Sequence, residues 1–140
     1  MSNLNRYIDQ QKIYYDIALK EIKNGYKQNH WMWFIFPQLK GLGESEISNY
    51  YGINGIEEAI EYYNNEYLKN NLIEISKELL KVENKSINYI LGYPDNLKLK
   101  SCMTLFELVD KKEEVFKKIL EKYYDNERDE KTIELVKKRN

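Results

Sequence analysis

The sequence predicts an all-α fold: a compact single domain of about seven to nine helices around a central aromatic helix. Three observations carry this. Most of the chain shows apolar residues recurring at three- and four-residue spacing, the signature of helices with one buried stripe. No segment alternates convincingly enough to supply paired strands. The stretch HWMWFIFPQ, His30 to Gln38, holds the longest unbroken run of large apolar side chains, which go all the way round a helix and so belong at the centre of a core. With 140 residues the chain is one domain, residues 1–140, and buries roughly two thirds of its unfolded surface.

The elements follow in order. A first helix from about Asn3 to Lys23 presents Leu4, Tyr7, Ile8, Gln11, Tyr15, Ala18, Leu19 and Ile22 on one stripe. Ser2 or Asn3 can cap its start, and Gly25 suits the left-handed residue beyond its end. Asn29 can cap a short helix from His30 to Phe36, and Pro37 disfavours helical geometry at Phe36. Ser45 to Tyr51, stopped by Gly52, and Gly55 to Tyr63 are short helices. A longer one spans about Glu66 to Val82. Ser86 caps Ile87 to Leu91. Asp95 is a good N-cap for a helix to about Val109, with Leu99, Met103 and Phe106 inward. Lys112 to Tyr124 and Asp129 to Lys138, the latter capped by Asp129, close the chain.

Composition excludes several functions. The formal net charge is −1 with both signs interspersed, against a nucleic-acid footprint. Lys137, Lys138 and Arg139 form the one tight basic cluster. The longest strictly apolar run, Trp31 to Phe36, falls far short of the roughly 20 residues that span a membrane. One cysteine, Cys102, and one histidine, His30, allow neither a disulfide within the chain nor a zinc site of Cys and His ligands. The polar N-terminus does not read as a signal peptide, and a reducing cytoplasm is the expected location.

Two stretches hold the candidate chemistry. His30 and Gln38 bracket the apolar plug, and Gly41, Gly43 and Ser45 follow it. A GxG before a helix can hold an anion on backbone N–H groups, but this one lacks the strand and third glycine of a dinucleotide fingerprint. The alternative is a tight loop with Ser45 as a helix cap. Asp95, Lys98, Ser101 and Thr104 fall every three residues, a polar strip beside the apolar face of their helix. Its alternative is a cap, a solvated lysine and two hydroxyls bonded back to the helix. Cys102 has no cationic neighbour in sequence and reads as a core thiol.

The blocks RYIDQQ, HWMWFIFPQLKGLG, YPDNLKLKSCMTLF and ERDEKTIEL, in that order, resemble the domain-of-unknown-function family numbered 1810 nearly end to end. Some members carry the label "calpastatin", which does not suit a compact domain, since calpain inhibitors of that type are disordered repeat chains. The resemblance implies an all-α, cytoplasmic single domain without an established activity. Its pattern carries over onto His30, Trp31, Trp33, Pro37, Gln38, Gly41, Gly43, Ser45, Asp95, Lys98, Ser101, Thr104 and Phe106. Cys102 departs from the family's frequent Ser, so a cysteine nucleophile loses further ground; Tyr7, where Phe is common, is an innocuous change at the core rim.

Two functions are compatible with these residues. In the first, polar groups of His30, Gln38, Asp95, Lys98, Ser101 and Thr104 converge over an aromatic wall of Trp31 and Trp33 and bind a small polar metabolite, a nucleotide or ADP-ribose derivative among the candidates. Lys98 with N–H groups near Gly41, Gly43 and Ser45 would hold a phosphate, and His30 with Asp95 would supply acid–base chemistry. In the second, the motif serves only the core, and the protein is a non-enzymatic interaction module. Neither reading calls for a metal or a cofactor.

Overall fold

In the computed structural model, which describes residues 2–138, nine helices account for most of the described chain. They are α1 (Asn5–Asn24), α2 (Met32–Ile35), α3 (Glu46–Tyr51), α4 (Gly55–Asn64), α5 (Glu66–Lys81), α6 (Ile87–Leu91), α7 (Asp95–Val109), α8 (Val115–Tyr124) and α9 (Glu130–Lys138). No strand occurs among the described residues, although one isolated bridge pairs Leu39 with Ile53. Arg139 of the basic cluster lies outside the described residues.

The stripe read in α1 is its buried face: Tyr7, Gln11, Tyr15, Ala18 and Ile22 turn inward, while Ile13 and Ile17 stay exposed. Its end is a Schellman motif. Gly25, at φ +75°, donates to the Ile22 carbonyl and Tyr26 to the Glu21 carbonyl. Its start differs from expectation. Leu4 occupies the N-cap with no side-chain bond, because the Ser2 hydroxyl donates to Glu61 and the Asn3 carbonyl accepts from Arg6.

The central helix is shorter than His30 to Phe36. α2 holds only Met32–Ile35, with Trp31 at its N-cap. The cause is Glu21, whose carboxylate gathers the backbone N–H groups of Gln28 and Asn29, the Asn29 amide and the Trp31 indole. Asn29 therefore donates to Glu21 instead of capping a helix, and the chain stays irregular to Trp31. After α2, Gln38 and Lys40 pair with Ile53 at 2.9 and 2.8 Å, which folds the segment carrying α3 back beside α2.

α7 starts one residue before its expected first turn. Pro94 is its N-cap, and Asp95 makes ion pairs in place of the expected capping bond. α8 starts at Val115, not Lys112, since Asp110 Oδ1 accepts from the N–H groups of Lys112 and Glu113 and holds them in a turn. The Ser45, Ser86 and Asp129 caps form as expected.

α1 lies along α5, α5 against α8, α8 along α7, and α7 against α4, while α2 packs beneath α1 and beside α3. Tyr7, Tyr62, Phe106 and Phe116 meet in the middle, with Tyr7 edge-on to Tyr62 at 5.1 Å. Each such ring contributes roughly 1.5–3 kcal/mol by burial. The polar member, Gln11, is satisfied: it donates to the Phe34 carbonyl and Tyr62 hydroxyl and accepts from Asn71. No helix among the described residues is long and apolar enough to cross a membrane.

Candidate functional site

The first turns of α7 face the loop after α2, and the gap between them is a cleft of about 440 Å³. Trp33 and Gln38 come from α2 and its exit. Gly43, Ser45 and Ser48 come from the loop and α3; Pro94, Leu97, Lys98 and Ser101 come from α7. Asp129 and Lys131 reach in from the start of α9. The pairing of Gln38 with Ile53 and the Ser45 cap on α3 fix the loop wall. The other wall is a helix face.

Trp33, Gln38, Gly43, Ser45, Lys98 and Ser101, all expected from the sequence, line this cleft. The Gln38 side-chain amide bonds to no other described residue, leaving two donors and an acceptor for a guest. Lys98 Nζ lies 3.5 Å above the centre of the Trp33 ring and 3.3 Å from Asp95 Oδ1. Ser101 Oγ donates to the Leu97 carbonyl at 3.2 Å and keeps acceptor capacity. Ser45 caps α3. Gly43 is required by close approach, since a Cβ there would stand 2.9 Å from Ser48 Oγ.

The other expected site residues lie elsewhere. His30 is exposed on the loop before α2, outside the cleft, and bonds to no other described residue. No hydrogen bond or ion pair joins it to Asp95, so the expected acid–base pairing is not formed. Trp31 is fully buried with its indole on Glu21, and therefore only Trp33 offers an aromatic surface. Asp95 sits behind Lys98, shared with Lys27 at 3.0 Å. Gly41, at φ +105°, turns the loop toward Leu135. Thr104 is fully buried; it donates to the Lys100 carbonyl and accepts from the Asp129 N–H, tying α7 to α9. Its hydroxyl is thus structural.

A larger groove, about 890 Å³, runs between α7, α8 and α9 over Leu108 and Ile133. The Arg128 guanidinium and Glu107 carboxylate close on each other there in a fork of 2.9 and 2.6 Å. Cys102 is fully buried, and burial pushes its thiol well above its usual range, which leaves it inert.

The sequence reading missed Glu21, Lys27, Ser48 and the Arg6–Glu58 pair. Glu21 had a signal: an acid three residues after Ala18, on the apolar stripe. Lys27 had none, because only the Gly25 turn brings it to Asp95. Glu58 accepts from Arg6 at 2.8 Å and from the Asn54 N–H, while Arg6 also donates to the carbonyls of Tyr50 and Gly52. That clasp holds α3 and α4 against α1.

A family model described as "Protein of unknown function (DUF1810)" matches residues 1–136, and the chain belongs to that family. Among solved structures, the conserved hypothetical protein Rv1873 from Mycobacterium tuberculosis is 39% identical over 96% of each chain, with a TM-score of 0.94. No curated protein matches.

Proposed function

We propose that this member of the family binds a small polar metabolite in the cleft between α7 and the loop after α2, with nucleotide- and ADP-ribose-derived compounds the first class to test. The observation that carries the reading is Gln38. Its backbone is locked to Ile53, the residue lines the cleft, and its side-chain amide has no partner among the described residues. Around it, Trp33, Lys98 and Ser101 supply the few placed polar groups and the apolar surface that small-molecule sites combine. The volume suits a compact ligand. The lone buried thiol fits residence in a reducing compartment, and we assign the protein to the cytoplasm.

The test is a thermal-shift screen of the protein against nucleotides, ADP-ribose, NAD, sugars and neutral amides, repeated on Gln38→Ala. A ligand at 100 times its dissociation constant adds about 2.7 kcal/mol of stability. The reading expects at least one shift that Gln38→Ala abolishes without lowering the unliganded melting temperature. Shifts that survive unchanged in Gln38→Ala would locate the ligand outside the cleft and overturn it.

A further inference from the structure

We infer that the ligand of this cleft is an anion, and that its charged group, a phosphate or phosphate ester, binds at Lys98 in front of the Lys27–Asp95–Lys98 cluster. The inference rests on the proposed cleft and adds the chemical class of its guest. Asp95 is one carboxylate shared by two ammonium groups: Oδ2 stands 3.0 Å from Lys27 and Oδ1 3.3 Å from Lys98. The three side chains retain only 9%, 16% and 17% of their exposure in the order Lys27, Asp95, Lys98. A cluster with one surplus positive charge is therefore withdrawn from most of its water.

Each ammonium also lies over an indole ring, Lys27 5.2 Å over Trp31 and Lys98 3.5 Å over Trp33. Ring faces soften the charge but do not cancel it. Of the three, Lys98 alone lines the cleft, so that is where the surplus is reachable. Around the cleft, Lys100 and Lys131 are balanced by Glu44 and Asp129, and Lys100 is also 3.6 Å from Glu127, so the surplus invoked is that of the Lys27–Asp95–Lys98 cluster alone. Among the described residues, the cleft lining holds ammonium groups and no guanidinium. Ammonium is a point charge suited to a compact phosphate, whereas paired recognition of a planar carboxylate favours arginine. Lys98 over Trp33 also covers that ring face, so a base would not stack there before the lysine moved.

The probe is inorganic phosphate, titrated into the intact ¹⁵N-labelled protein at fixed pH and ionic strength, with acetate as the parallel titrant. The chain has two tryptophans, so two indole N–H resonances report, and Trp33→Phe assigns them. The expected result is a saturable shift of the Trp33 signal with phosphate, a weaker or absent one with acetate, and a stationary Trp31 signal. Lys98→Gln should weaken the phosphate response roughly tenfold or more. Lys98→Arg should retain it, and Lys27→Gln, outside the cleft, should weaken it by removing the surplus charge. Identical titrations of Lys98→Gln and the unaltered protein would overturn the anion assignment, and equal responses to acetate and phosphate would overturn the assignment of the charged group as a phosphate. A neutral ligand that moves Trp33 and depends on Gln38, beside a silent phosphate titration, would keep the cleft and refute its charge preference. A Lys98-dependent phosphate response, beside ligand shifts indifferent to Gln38, would do the reverse.

Discussion

At the residue scale, Glu21 determines the path of the loop that leads to the site. Its carboxylate is buried on α1 and accepts four hydrogen bonds, from the Gln28 and Asn29 backbone, the Asn29 amide and the Trp31 indole. Replacing it with Ala leaves those donors unpaired and should cost about 2–4 kcal/mol in urea unfolding, since bonds to a charged group contribute more than neutral ones. Burial disfavours its charged form, but the hydrogen bonds outweigh burial and hold its carboxyl below 4.5. The unfolded chain then takes up the proton first as pH falls. Stability from Glu21 is present above pH 4.5 and is lost as pH drops through the lower folded-state value. Acid-unfolding curves should be shallower for Glu21→Gln than for the parent protein. Cys102 gives a simpler expectation: native protein should resist thiol reagents, reacting only at the rate of unfolding. His30 marks the limit of sequence reading at this scale. Its place beside an apolar run suggested a site, but whether a flanking residue faces in or out depends on the loop that Glu21 organises.

At the element scale, the long helices were legible because each has one continuous buried stripe, as in α5 with Leu68, Leu72, Ile75 and Leu79. Caps were legible where a Ser or Asp could reach the N–H three residues on, as Ser45, Ser86 and Asp129 do. Asp95 has the same chemistry and does not cap, because two lysines from different parts of the chain compete for its oxygens. The polar strip of α7 mixed both expected roles: Lys98 and Ser101 line the cleft, whereas Thr104 joins α7 to α9. Between elements, the Arg6–Glu58 pair is the most buried ion pair among the described residues, with each side chain 7% exposed. Removing one partner strands a buried charge, so Arg6→Ala should lose about 3–5 kcal/mol in equilibrium unfolding. Arg6→Lys should recover only part, since one ammonium cannot reach Glu58 and the Tyr50 and Gly52 carbonyls as the guanidinium does.

For the whole molecule, one aromatic core joins α1, α4, α7 and α8, and the cleft is a surface consequence of how α7 meets the loop after α2. Phe106, fully buried among Tyr62, Tyr63 and Phe116, is its keystone. Phe106→Ala should cost about 3–5 kcal/mol with an unchanged denaturant slope, a loss of packing without a change of fold. The all-α class followed from periodicity alone. The cleft did not, because Trp33, Gln38 and Lys98 come together only through the Gln38–Ile53 pairing and the Lys27–Asp95–Lys98 bridge, contacts between residues far apart in sequence. The decisive experiment is the structure of the protein with the strongest hit from the thermal-shift screen. That ligand should lie against Trp33, bonded to the Gln38 amide and reaching Lys98. The same ligand seated instead in the groove over Leu108 and Ile133, with the Gln38 amide untouched, would refute binding in the cleft.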